Sequence, residues 1–329
     1  VFKRLFIVLS ILLVGFLGWY FNSIRPVTVH STPEQDFEVV SGENLDQIIN
    51  NLSRNKLIRS RAAFKLTVVR LGIASKIQAG FFRLSPSMDA PTIAQKLTRA
   101  YARQVRVTIP EGLRRQEIAL IVQKSLKENN PESRFDTNTF LSLTATLEGK
   151  LFPDTYDFDP KADTQTVVSR LNDNYKRVIS DLKIGSDKEP EILILASLLE
   201  REAANAGEMP EVAGVLNNRL KAGWPLQVDA TVQYALGTAR CKKVDCDWWP
   251  KNLSRADIQF KSPYNTYENP GLPPAPISNP GRDSLSAASS PLITPNWFYI
   301  HDLSGKIHFA KTVEDHNENV CVYLKKDCQ

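Results

Sequence analysis

Hydrophobic residues are unevenly spread along this chain. Leu5 to Phe21 is a predominantly apolar run of seventeen residues with no charge. Beyond it the sequence breaks into short periodic stretches separated by polar turns. Phe37-Glu38-Val39-Val40 predicts a strand and Ser41-Gly42 a turn. Asn44 is placed to cap a helix on which Leu45, Ile48, Ile49 and Leu52 make an i, i+3, i+4, i+7 stripe. A helix over 61–71, a strand over 80–84 and a short helix over 89–97 complete a small α+β module, residues 36–104. Val105, Val107 and Ile109 then alternate as in a strand, and Pro110-Glu111-Gly112 turns into a helix carrying Ile118, Ile121 and Val122. The strand–Gly–helix order of 37–52 thus recurs loosely at 105–122, as a common βα unit rather than a duplication.

Further helices are predicted over 137–146 and 164–182, with Leu151 to Tyr156 a segment broken by Pro153. A long helix starts after Pro190 and stops near Ala206-Gly207, and another runs from Glu211 to Lys221 before Ala222-Gly223. Residues 237–281 read as irregular, rich in Pro, Tyr, Asn and Trp, and so long an irregular stretch points to a functional surface. Trp297–Ile300 and Lys306–Phe309 predict a hairpin around Asp302-Leu303-Ser304-Gly305, with a last helix after His316. The fold class expected is α+β: an N-terminal transmembrane helix, the small module, and a larger mixed α/β domain over 105–329.

Composition narrows this only a little. The 329 residues suffice for two or three domains, and 42% hydrophobic residues supply an ordinary core. The net charge of +5 is mild, and no P-loop, zinc-finger spacing or aromatic RNA-binding signature is present, so nucleic acid is not an expected partner. The apolar run is at the short end for a spanning helix. Lys3 and Arg4 precede it in a stub of residues 1–4, and Trp19 and Tyr20 sit where an interfacial aromatic belt would lie. No Ala-x-Ala-like cleavage site follows, so 5–21 reads as a retained single-pass anchor and not a signal peptide, with 22–35 a spacer. The basic residues orient it N-terminus in, although Arg25 weakens the asymmetry, so the body lies outside the cytoplasm. The four cysteines fall in two close pairs. In an oxidising compartment these read as local disulfides 241–246 and 321–328, although sequence alone allows three connectivities; a zinc site is the alternative, at spacings unusual for it.

Candidate chemistry centres on Glu200, at the end of the run Ile192 to Leu199. A carboxylate emerging from an apolar helix into desolvated surroundings has its pKa pushed up, and a carboxylic acid near neutral pH can protonate a poor leaving group. Its i−4, i−3, i+3 and i+4 neighbours, Ala196, Ser197, Ala203 and Ala204, are small and leave room beside it. Two readings stand: a catalytic acid, or close helix packing with Glu200 paired to an arginine such as Arg219. Glu202 lies about 200° round the helix and reads as a solvated residue or an arginine partner. Asp229 is either a second carboxylate aimed back at the helix or a cap for the helix Ala230–Leu236. The loop Ser262-Pro263-Tyr264-Asn265-Thr266-Tyr267 suits carbohydrate, since aromatic faces stack on sugars and Asn offers a donor and an acceptor. No G-x-S-x-G or H-x-x-x-H spacing occurs, and neither a metal nor a cofactor is expected.

These residues together resemble the endolytic murein transglycosylases of the MltG/YceG-like family. Phe37 to about Ala100 is similar to that family's LysM-like module. Glu111-Gly112 and Glu148 to Tyr156 resemble the lead-in to its catalytic domain, and Leu195 to Glu202 its catalytic helix. Asn218-Arg219-Leu220, Leu226 to Tyr234, Ser262 to Tyr267 and Gly271-Leu272-Pro273-Pro274 follow in the family's order. Ala230 and Ala275 depart from it, where Pro and Gly are usual, and the Cys241–Cys246 insert lies outside it. The resemblance implies a membrane-anchored lyase that cleaves the MurNAc-β-1,4-GlcNAc bond within peptidoglycan glycan strands and leaves 1,6-anhydro-MurNAc ends. It puts Glu200 in the catalytic position as sole acid/base, with Gln227, Asp229, Tyr234, Tyr264, Asn265 and Tyr267 contacting glycan. It implies residence in a bacterial inner membrane beside the cell-wall synthesis and division machinery. The alternatives are a hydrolytic muramidase using Glu200 and Asp229, and a non-catalytic glycan-binding scaffold.

Overall fold

The computed structural model describes residues 2–100 and 104–325. The chain divides into two compact units, residues 1–103 and 104–329. In the first, the apolar run lies in α1 (Phe2–Ser23). Its stretch Phe6–Ser23 has a mean hydropathy of 1.8 and is only 6% buried, so it is long and apolar enough to cross a membrane and is not a core helix. Tyr20, expected at a membrane interface, is buried instead. Its hydroxyl shares a 3.0 Å hydrogen bond with Thr67, and Arg70 lies 5.6 Å over its ring. Residues 24–32, expected as a spacer, are docked on the module: Ala90 donates to the Ile24 carbonyl, Arg59 to Pro26 and Ser85 to Thr32.

The module follows as β1 (Gln35–Val39), α2 (Leu45–Arg54), α3 (Arg61–Leu71), β2 (Gly80–Leu84) and α4 (Ala90–Lys96). Asn44 closes a full capping box with Gln47, which fixes the start of α2. β1 and β2 pair antiparallel with Phe37 opposite Phe82, and those two side chains meet Ile48, Ile49, Leu52, Phe64, Val68 and Ile93 in one core.

The second unit opens with β3 (Val105–Ile109), α5 (Arg115–Asn129), α6 (Thr137–Leu143), β4 (Asp154–Phe158) and α7 (Thr164–Asp181). Residues 154–156, expected as part of a Pro-broken segment, open β4, with Val107 opposite Tyr156 and Pro153 just outside the pairing. Then come α8 (Glu189–Glu202), α9 (Met209–Lys221), α10 (Asp229–Arg240), α11 (Arg255–Ile258), α12 (Arg282–Ser289), the hairpin β5 (Phe298–His301) with β6 (Ile307–Ala310), and α13 (Val313–Val320). Residues 237–240, expected to be irregular, belong to α10, a short helix interrupts the rest of the stretch to 281, and the last helix begins before His316.

Two departures bear on the site. α8 stops at Glu202, short of 206–207, because Ala203 turns extended (φ −79°, ψ 138°) and Glu208 accepts from the Ala204 N–H and the Asn205 amide. Residues 195–199 of α8 are all buried, so α8 is wrapped on every side: it is a core helix packed by α9 and α12. Cys241 and Cys246 form a disulfide with Cα atoms 5.8 Å apart. The expected 321–328 pairing falls on Cys328, outside the described residues.

Candidate active site

The small residues before Glu200 do not leave room for a ligand. Ser197 is fully buried, and the segment before α12 lies on it: the Ile277 N–H donates to Ser197 Oγ (3.1 Å) and Ser278 Oγ donates to the Ser197 carbonyl (3.1 Å). Ala203 has left the helix. Glu200 itself is engaged by the start of α12. Its Oε2 accepts from the Gly281 N–H at 2.9 Å and the Ser284 hydroxyl at 2.7 Å. A carboxylate on the exposed N–H groups of a helix N-terminus is favourable, so this contact ties α12 to α8. A Cβ at position 281 would come 2.7 Å from Glu111 Cγ, so a larger residue there would displace the exposed Glu111 side chain. Arg219 does not pair with Glu200: Nη1 donates to the Leu226 carbonyl (2.7 Å) and Nε to that of Trp297 (2.9 Å).

Glu202, two residues on, points to the other side and meets the conditions argued above for Glu200. It is not a solvated surface residue. Its side chain keeps partial access to solvent, while its carboxyl lies deep among protein atoms and accepts from Tyr299 Oη at 2.9 Å. Burial pushes its pKa up, and the charge of Asp229 adds to this. The Tyr299 hydroxyl, His301 and the Ala230 N–H oppose the rise. Burial and Glu202 together push Tyr299 well above the ordinary phenol range, so the tyrosine keeps its proton and serves as donor.

Around this pair, Asp229 Oδ1 accepts from Tyr267 Oη at 2.6 Å. Asp229 is the first residue of α10 and does not cap it through its side chain. His301, two residues beyond Tyr299 and on the same face of β5, meets Glu208 Oε2 at 3.0 Å. Gln227 sits two residues before Asp229 in the left-handed region (φ 56°), exposed, with its N–H on the Thr266 carbonyl. Two carboxyl groups, three polar aromatic groups and a buried guanidinium therefore converge at the C-terminal end of α8. Such a set can deliver a proton to a bound oxygen and take one back.

The remaining sequence candidates lie elsewhere. Asn265 is fully buried: its amide donates to the Ile258 (2.7 Å) and Phe260 (2.9 Å) carbonyls and accepts from the Tyr267 N–H (2.9 Å). It shapes the loop that aims Tyr267 and presents no polar atom outward. Tyr234 and Tyr264, with rings 4.8 Å apart, join a second cluster. With Arg114, Arg115, Lys150 and Glu148 they line a cleft of about 280 Å³ that also touches Leu193 and Ile194 of α8. Those two residues stand roughly 12–14 Å before Glu202 along the helix axis. Burial raises Glu148 to about 7 against the pull of Arg114 and Arg115. Arg114 is buried with its guanidinium 3.9 Å over Tyr234 and 4.6 Å over Trp248. The disulfide-closed insert thus feeds Trp248 and Trp249 into this cluster, where Trp249 Nε1 donates to Glu117 (3.0 Å) and Arg201 lies 4.0 Å over its ring.

The sequence set Glu202 aside, pointed to Arg219 only as a partner for Glu200 and to Glu148 only within a motif, and did not single out Tyr299. The signal available for Glu202 was its angle: a second carboxylate on the opposite side of an otherwise apolar helix end needs a partner of its own.

The YceG-like family model matches residues 37–321. The endolytic murein transglycosylase of Bacillus subtilis (strain 168) is 32% identical, over 93% of this chain and 90% of that protein. That of Streptococcus pneumoniae serotype 2 (strain D39 / NCTC 7466) is 26% identical over 94% of this chain, which spans only 62% of that longer relative. A crystal structure of a YceG-like protein from Listeria monocytogenes is 28% identical and covers 88% of this chain and 99% of its own, with a TM-score of 0.49.

Proposed function

The chain belongs to the YceG-like family, and from that membership we propose that it is a membrane-anchored endolytic murein transglycosylase with Glu202, in place of Glu200, as its acid/base. The substrate is the glycan strand of peptidoglycan, cut at internal MurNAc-β-1,4-GlcNAc bonds. The observation that carries the assignment is the Glu202 carboxyl itself: buried, raised in pKa beside the Asp229 charge, and held by the Tyr299 hydroxyl.

Protonated Glu202 gives its proton to the glycosidic oxygen as the bond to the muramic carbon breaks. The resulting carboxylate then takes the proton of the same sugar's 6-hydroxyl, whose oxygen closes the 1,6-anhydro ring. One carboxyl group completes this cycle, whereas hydrolysis requires a second to activate water. Asp229, hydrogen-bonded to Tyr267, serves to keep Glu202 protonated until substrate arrives. Exposed Gln227 and the Tyr267 hydroxyl are placed to contact the sugar.

The β1–α2–α3–β2 order of the first unit supports reading residues 36–104 as a LysM-like module, with 105–329 the catalytic domain. α1 is the single-pass anchor in the inner membrane, with the catalytic domain outside the cytoplasm, within reach of the cell-wall synthesis and division machinery.

Digestion of purified peptidoglycan followed by mass spectrometry of the muropeptides tests this. Wild type should release anhydro-ended products, and Glu202→Gln should release none while melting at the same temperature. Glu200→Gln keeps an acceptor for Gly281 and Ser284 and should retain cleavage wherever it folds. Cleavage by Glu202→Gln at the wild-type rate would sink the assignment. Products with reducing muramic ends would replace the lyase with a muramidase in which Asp229 is the base.

A further inference from the structure

Four of the five tryptophans lie in the second unit, and they divide into two kinds. Trp248 and Trp249 are buried, and each indole N–H has a partner: the Val244 carbonyl at 2.9 Å and Glu117 at 3.0 Å. Trp224 and Trp297 pack on each other with ring centroids 4.9 Å apart, and neither indole N–H has a hydrogen-bond partner among the described residues. Trp224 is 45% exposed. A tryptophan face left open to water with its N–H unpaired costs apolar hydration and gains nothing in the fold.

Their position connects them to the proposed acid. Trp297 immediately precedes β5, two residues before Tyr299, with its N–H bonded to the Ala310 carbonyl, and Trp224 packs on both Trp297 and Phe298. Tyr299 holds Glu202, so the indole pair begins about 7 Å along the strand from the residue that holds the acid. Trp224 is three residues before Gln227, on the segment that leads into Asp229. Arg219 joins these parts: its guanidinium donates to the Trp297 and Leu226 carbonyls and lies 5.4 Å over the Phe298 ring. Trp224, Trp297, Gln227 and the strand that holds the acid are thus tied together through the Arg219 guanidinium.

We propose that Trp224, backed by Trp297, is a sugar-stacking platform that binds one ring of the glycan strand next to the ring being cut. The proposal rests on the peptidoglycan reading above. The apolar face of a pyranose packs on the indole, and the unpaired N–H groups donate to its hydroxyl or N-acetyl oxygens.

The test uses the full chain in detergent, in the Glu202→Gln background, titrated with peptide-free glycan strands and followed by tryptophan fluorescence. Trp224→Ala should weaken binding by roughly three- to tenfold, and Trp224→Phe should restore most of it. Thermal melting should not change. In the otherwise wild-type enzyme, Trp224→Ala should raise KM by a similar factor and leave kcat nearly unaltered. Equal affinity for the parent and Trp224→Ala overturns the platform. Should Glu202→Gln prove active, the acid assignment fails alone, and the KM of Trp224→Ala in the otherwise wild-type enzyme still reads the platform. A parent that binds no glycan overturns both readings.

Discussion

Replacing Glu148 by Gln isolates the energetics of the buried carboxyl beside the Tyr234–Tyr264 cleft. Glu148 Oε1 accepts from the Arg115 N–H at 3.0 Å and from the Asn279 amide at 2.9 Å. Burial nevertheless lifts its pKa from the ordinary 4.5 to about 7. The folded protein therefore holds this proton more tightly than the unfolded chain does. The associated stability is fully present below about pH 4.5 and is lost as the pH rises through about 7. A rise of that size is worth roughly 3 kcal/mol at alkaline pH. Glutamine keeps an acceptor oxygen for Arg115 and Asn279 and does not titrate. Whatever fixed offset the substitution brings, the stability difference between variant and wild type should move by about 3 kcal/mol in the variant's favour between pH 4.5 and pH 8.5. All other titrating groups are common to both proteins and cancel. The assay is urea unfolding across that range, read by tryptophan fluorescence, to which Trp224, Trp248, Trp249 and Trp297 of the second unit contribute. A difference that stays constant to within about 0.5 kcal/mol, or moves the other way, refutes the account of Glu148 as a carboxyl desolvated at a net cost.

Two further substitutions probe the supports of the site. Ser284→Ala removes one of the two hydrogen bonds on Glu200 Oε2 and should lower stability by about 1–2 kcal/mol, measured by urea unfolding; no loss would mean that α12 is held without this contact. Converting Cys241 and Cys246 to Ser opens a loop of sequence separation 5, which chain entropy values at about 2 kcal/mol, and it should raise protease cleavage between residues 241 and 249. Unchanged proteolysis would show that Trp248 and Trp249 hold the insert without the disulfide.

Local pattern carried the small elements well. The Leu45–Leu52 stripe and the Asn44 cap appear as written, since both depend on residues no more than a few positions apart. β4 was harder to see. Tyr156 and Phe158 alternate inward as in any strand, but Pro153 and two aspartates mask the pattern. Ala203 and Ala204 favour helix, yet Asn205 and Glu208 build a turn that ends α8 before them. The choice between Glu200 and Glu202 was beyond local reading. The helical angle showed that they face opposite sides. What each side holds depends on Gly281 and Ser284, more than 80 positions later, and on Tyr299, 97 positions later. α12, which supplies two of those partners, is a short Ser- and Ala-rich helix with little hydrophobic contrast to announce it.

The hydrogen bond between Tyr20 and Thr67, with residues 24–32 laid along the first unit, removes slack where a tether was expected. With α1 embedded in a bilayer, as proposed, the module has no line to play out. It stands on the helix end like a hand on a wrist, and the tilt of α1 becomes the tilt of the module. Whatever the module meets must then lie within its own length of the membrane face.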